Sequence, residues 1–123
     1  MTVEQIARRL VALCREGKFE QAQNELYAEH TLSIEPDGLP PGALGSVKGL
    51  AAIRDKGRQF QERTEVLHSI TVSEPLIADN WFSVSMKMDI TMKEFGRVNL
   101  AEICVFHVRD GKVDKEQFFY DVG

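Results

Sequence analysis

Apolar positions recur every three or four residues through the first half of the chain and mostly every second residue through the rest, a pattern of helices followed by sheet. Val3, Ile6, Ala7, Leu10, Leu13 and Cys14 share one face of a helix over 3–16, with Arg8, Arg9 and Arg15 on the other. Thr2 is placed to cap it with Gln5 in the reciprocal position, and Gly17 to stop it. Phe19, Ala22, Leu26 and Tyr27 predict a second helix over 19–28. Thr31–Glu35 alternates and ends at Pro36, which reads as a short strand at a sheet edge. Three prolines and four glycines between Pro36 and Gly49 predict a loop. A third helix follows over 49–62. Leu50, Ile53, Gly57 and Phe60 lie on one side, and Arg54, Asp55, Lys56, Arg58 and Glu62 on the others.

Four strands complete the chain, over 66–77, 81–93, 98–108 and 113–122. The short turns between them predict an antiparallel meander, and helices segregated from such a sheet make an α+β fold of one domain. Within Phe82–Ile90, Phe82, Val84, Met86, Met88 and Ile90 face one way. In the strand before, His68, Ile70 and Val72 share a face. The last two strands are apolar on both faces, the mark of strands covered on both sides. Their turn, Arg109-Asp110-Gly111-Lys112, leaves the register open. A two-residue loop puts Glu102 opposite Phe119. A three-residue loop with Gly111 at a bulge puts Glu102 opposite Phe118 and Cys104 opposite Glu116. One residue of slip exchanges the faces.

Composition narrows the partners. A net charge of −4 over 123 residues, with no basic stripe, argues against nucleic acid and anionic membranes. Cys14 and Cys104 stand apart from any CxxC or His/Cys cluster, so they read as free thiols, with no zinc site and no disulfide framework. No apolar run approaches membrane-spanning length and no leader pattern opens the chain. The expectation is a soluble cytoplasmic protein without metal or cofactor.

Three features carry possible chemistry. If Glu102 and Glu116 share a face they lie diagonally, roughly 7–8 Å apart at the backbone. Under an apolar roof they would titrate as a coupled pair and supply one acid and one base. Equally, each could be paired with Arg54 or Arg58 from the third helix. His68 is either a proton shuttle or a histidine hydrogen-bonded to a neighbour. Met86 and Met88 beside Phe82 look like an adaptable apolar wall, and Tyr120 or Tyr27 could offer a hydroxyl.

Several segments in this order resemble the nuclear transport factor 2-like superfamily, which includes ketosteroid isomerase, scytalone dehydratase and SnoaL-like polyketide cyclases. They are Leu10–Gly17 with Phe19, Leu26–Glu29, Ser33-Ile34-Glu35-Pro36, Gly49–Arg54, and Val108–Val113 with Glu116, Phe118, Phe119 and Tyr120. The resemblance is nearest to SnoaL-like members and spans essentially the whole chain. It implies a cone-shaped fold, three helices on a curved, mainly antiparallel sheet, with a pocket for a small hydrophobic molecule. It also favours the bulged register, turning Glu102, Cys104, Phe106, Glu116, Phe118 and Tyr120 toward that pocket. Ile103, Val105, His107, Gln117 and Phe119 then lie on a convex face that family members often use to form homodimers. Trp81 falls on the face opposite the pocket.

By the same resemblance Glu35 stands where ketosteroid isomerase has its general base, a role an apolar pocket would sharpen; the other reading is a solvated acid at a loop edge. The isomerase's oxyanion donors, a tyrosine and a protonated aspartate, are matched here by Leu10 and Cys104, so the steroid reaction is not expected. Three readings follow. One is a cofactor-free isomerase, cyclase or dehydratase using Glu35, Glu102 and Glu116, with His68, Met86, Met88, Phe118 and Tyr120 at the ligand. The others are a binding module using the same pocket, and a scaffold working through the convex face around Val105 and Phe119.

Overall fold

Thr2 caps the first helix as its spacing predicts: its hydroxyl accepts from the Gln5 N–H at 3.1 Å, and the Gln5 side chain accepts from the Thr2 N–H at 2.9 Å. From this cap the computed structural model describes residues 1–122. Helix α1 spans Val3–Arg15 and α2 Phe19–Leu26, with Gly17 at positive φ between them. Strand β1 (Tyr27–Ile34) follows, then β2 (Val47–Lys48), α3 (Leu50–Arg63), β3 (Thr64–Val72), β4 (Leu76–Ala78), β5 (Trp81–Met92), β6 (Gly96–Arg109) and β7 (Lys112–Phe119). No helix among them is long and apolar enough to cross a membrane.

The strands form one sheet in the order β2-β1-β7-β6-β5-β3, with β4 on β5. All pairings are antiparallel except β1 with β7. The fold is therefore α+β, three helices packed on one face of a curved sheet, as the pattern predicts. Ile6, Leu10, Val11 and Cys14 of α1 meet Phe82, Val84, Met86, Cys104 and Phe106 from the concave face in one core. Phe82 and Phe106 are cross-strand partners there and stack with ring centroids 4.8 Å apart.

Four predicted boundaries change. Tyr27 opens β1 instead of closing α2. Strand β1 is not at the edge, because the two residues of β2, inside the predicted loop, cover its free side. The strand predicted over 66–77 is two strands separated by Ser73–Pro75, where proline withholds a donor from the ladder. The hairpin has neither predicted register. Asp110 and Gly111 form a two-residue turn with φ of 52° and 74°, and Val108 pairs with Val113. Asp114 is then an extra residue, so His107 pairs with Lys115, Phe106 with Glu116 and Cys104 with Phe118. The bulge lies in β7, not in the turn. It restores the facing that the bulged register implied.

Candidate functional site

The concave face carries a row of polar side chains where β1 runs beside β7. Ser33 and Glu116 are register partners in that parallel pair, and both are buried. The Ser33 hydroxyl donates to Glu116 Oε2 at 2.7 Å, and the Tyr27 hydroxyl donates to Glu116 Oε1. From α3, Lys56 Nζ donates to Ser33 Oγ at 2.7 Å and pairs with Glu35 Oε2 at 3.3 Å. The other Glu35 oxygen accepts from the Tyr120 hydroxyl at 2.7 Å. Tyr27, Glu116, Ser33, Lys56, Glu35 and Tyr120 thus form one continuous chain of hydrogen bonds. It starts in the core and ends at the open end of the sheet.

Glu102 stands beside this chain without joining it. Its recorded hydrogen bond comes from the Cys104 thiol at 3.5 Å. Burial pushes its carboxyl up to about 7, and the charges of Glu35 and Glu116 act in the same direction. Burial also raises Glu116, although the bonds from Ser33 and Tyr27 and the Lys56 charge favour its ionised form. Burial and the adjoining carboxylates raise the Tyr27 and Tyr120 phenols. Both thiols are suppressed as nucleophiles: burial pushes Cys14 up to about 12, and raises Cys104 as well, with Glu102 and Glu116 adding to it.

Glu35, Glu116 and Tyr120 are brought together by this chain. Phe118 lies against it, with Lys56 Nζ 5.6 Å above its ring. Met86 is buried in the core and Met88 packs half-buried against it. Glu102 and Glu116 do share the concave face, but they are not diagonal neighbours. Glu116 is opposite Phe106, and Glu102 lies four residues along β6, roughly 13 Å at a strand's rise.

His68 departs from its predicted place. A bulge between Leu67 and Ser69 turns it off the concave face; it is exposed and bonds Thr91 Oγ1 at 2.7 Å. Leu67 takes the inward register position against Ile90 instead. The arginine pairings do not form either. Arg54 donates to Asn24 and Arg58 to Glu20, both at the surface. Lys56 is the α3 cation that reaches the carboxylates, and sequence reasoning passed over it. Its signal was its position on the turn after Leu50 and Ile53, one side of which must face the sheet.

An open cleft of about 530 Å³ lies at the outer end of the chain, where β1 and β7 part. Glu35, Phe118 and Tyr120 line it together with Ile34 and Pro36. A second hollow of about 240 Å³ lies behind Lys56, under the loop at Ala43–Gly45. Met86 and Glu116, between which the resemblance implied a pocket, are both buried, and neither lines either hollow. Among the described residues no group of three or more His, Cys, Asp or Glu is arranged to hold a metal. Glu35 and Tyr120 bring a carboxyl group and a phenol to the open cleft, where they can exchange a proton and hydrogen-bond an oxygen that gains charge; Glu102 does not line it.

The model of the SnoaL-like domain matches residues 1–120. No curated protein matches the chain. Among solved structures, it is similar to a proposed SnoaL-like polyketide cyclase from Mesorhizobium loti. The two are 30% identical over 98% of this chain and 100% of the other, with a TM-score of 0.88. An NTF2-like protein from Burkholderia pseudomallei is 15% identical over 98% and 92%, with a TM-score of 0.80. A protein of ketosteroid isomerase-like fold from Catenulispora acidiphila, solved with trimethylamine, is 15% identical over 98% and 88%, with a TM-score of 0.72.

Proposed function

The chain belongs to the SnoaL-like family, and from that premise we propose that it is a cofactor-free acid–base enzyme. Its substrate is a small hydrophobic carbonyl compound, and its reaction an isomerisation, cyclisation or dehydration begun by removing a proton beside the carbonyl. The observation that carries this reading is an imbalance: three carboxyl groups, Glu35, Glu102 and Glu116, share one cation, Lys56. Full ionisation would leave two uncompensated negative charges in a largely dry space, so the group retains a proton at neutral pH. Glu102 is the carboxyl with the weakest support for its charge, since a thiol is its hydrogen-bond donor. It acts as the acid, Glu35 as the base, and the Tyr120 hydroxyl orients the substrate oxygen at the cleft. Phe118 and Ile34 supply the apolar wall.

The similarity to the Mesorhizobium loti protein, a proposed SnoaL-like polyketide cyclase, supports the reading from outside the chain; polyketides are rich in acidic C–H bonds flanked by carbonyls. The test does not require the natural substrate. Aryl 1,3-diketones and cyclic enones incubated with the protein in D2O should gain deuterium at the α-carbon faster than in buffer. Glu102→Gln should lower that enhancement at least tenfold. Absence of exchange by the wild-type protein, or full exchange by Glu102→Gln, overturns the reading.

A binding module with the same cleft is the second reading, favoured by Leu10. That residue is fully buried in the core and offers no hydroxyl where the steroid isomerase has one. Saturable binding of the probes without exchange would select it. We also propose that two copies associate through the convex face.

A further inference from the structure

The Lys56 ammonium has three N–H bonds, and the structure directs each to a different acceptor: Ser33 Oγ at 2.7 Å, Glu35 Oε2 at 3.3 Å and the Gly45 carbonyl at 3.4 Å. A surface lysine keeps its head in water. This one is only 14% exposed, against 11% for its partner Glu35. The bond to Ser33 has a second consequence. A hydroxyl that accepts from an ammonium keeps its own proton for another partner, and the Ser33 hydroxyl donates to Glu116. The cation is thereby linked directly to one carboxylate and, through one hydroxyl, to a second. Glu102 has no such link.

We propose that Lys56 is the positioning residue of this site, holding Glu35 directly and Glu116 through Ser33 in their charged forms so that the retained proton resides on Glu102. This rests on the acid–base reading above, and it adds the residue that assigns the roles. The groups around Lys56 are Ser33 and Tyr27 from β1, Glu35 just after it, Glu116 from β7 and Tyr120 just after that, and Glu102 and Cys104 from β6. Asp37 of the loop and Asp55 of α3 lie at the two hollows beside it. None of these is a second cation. Removing the ammonium therefore leaves the carboxyl group without compensation, and a second proton must be retained near neutrality. The Gly45 bond ties the 36–46 loop to the same ammonium, and the Glu35 N–H donates to Ser46 Oγ at 2.8 Å from the other side.

The test is a carboxyl titration by carbon-detected NMR on glutamate-labelled protein, from pH 4 to 9. In the wild type one of the three carboxyls should titrate near neutrality, and its signal should vanish in Glu102→Gln. In Lys56→Met a second carboxyl should titrate above pH 6, while Lys56→Arg, which keeps the charge, should return to one. Ser33→Ala keeps Lys56 and Glu35 but cuts the bridge to Glu116, and should move the Glu116 signal upward with little effect on Glu35. It carries the test if Lys56→Met does not fold. A Lys56→Met titration identical to the wild type, or an unmoved Glu116 signal in Ser33→Ala, overturns the proposal. The two readings fail separately. Loss of deuterium exchange by Lys56→Met with an unchanged titration would sink the positioning role and leave the enzyme intact. The expected titrations without exchange in the wild type would do the reverse.

Discussion

Glu102 makes stability depend on pH in a direction opposite to most carboxylates. Its carboxyl is raised from 4.5 to about 7 in the folded chain, so across that interval the folded state binds more protons than the unfolded one. Stability is fully present below pH 4.5 and is lost as pH rises through 7, by an amount on the order of 3 kcal/mol. Glu116 is raised as well and adds in the same sense. Urea unfolding should therefore give a higher midpoint at pH 5 than at pH 8, and Glu102→Gln should reduce the difference by about half or more. A midpoint that rises toward pH 8 would contradict the burial of these groups. Glu102 and Glu116 were legible in the sequence because carboxylates on otherwise apolar strands stand out, and Glu35 through the family resemblance. Lys56 was not, because α3 carries charged residues on most of its circumference and periodicity alone does not say which one turns inward. His68 was misplaced for a different reason. A single-residue bulge reverses a strand's facing, and nothing in the run Glu65–Val72 marks where it falls.

The hairpin of β6 and β7 decides whether the site exists. Its two-residue turn, continued without interruption, would put Glu102 and Glu116 on opposite faces of the sheet. Asp114 prevents this as the extra residue. It is held in place by His107 Nδ1 at 2.6 Å, with Arg109 at 3.4 Å. Asp114→Ala should cost about 1–2 kcal/mol, the usual penalty for unmaking a bond between half-buried polar groups. It should also broaden the NMR signals of Glu116 and Phe118, where a purely local effect would stop at Lys115. Gly111→Ala tests the turn itself. At φ of 74° a side chain is strained, while the nearest atoms, of Met1, leave room for a methyl group. A loss of about 1 kcal/mol in chemical denaturation with an unaltered site is expected; no loss would show that the turn can change type. The order of elements was legible from periodicity and turn residues. The parallel pairing of β1 with β7 was not, since it joins segments over eighty residues apart, and no local pattern encodes a partner.

Viewed whole, the molecule has covered one face of its sheet and left the other open. Ile103 and Phe119 are cross-strand partners on the convex side, 53% and 48% exposed, with Val105 next to them. Trp81 lies on the same face at 41% exposure, its ring 4.5 Å from that of His107. Completing the burial of Ile103 and Phe119 would recover roughly half of the ~1.5–3 kcal/mol each is worth. In a two-fold dimer this counts twice, about 3–6 kcal/mol. That matches only the low end of the cost of association, so a stable dimer must extend over Val105 and Trp81. Charges around the patch have both signs, Asp89 with Arg97 and Asp114 with Arg109, which suits a surface that must complement itself. Sedimentation equilibrium at tens of micromolar should give twice the 13.9 kDa of the chain. Phe119→Glu should return it to one copy, because burying a carboxylate in the apolar patch carries a large desolvation cost. Phe119 also lines the rim of the cleft, so the control is Ile103→Glu, which lies outside that lining and should lose the dimer while keeping its deuterium exchange. If exchange disappears with the dimer, the second copy contributes to the site; a wild-type monomer would mean that the convex face is covered by something other than this chain.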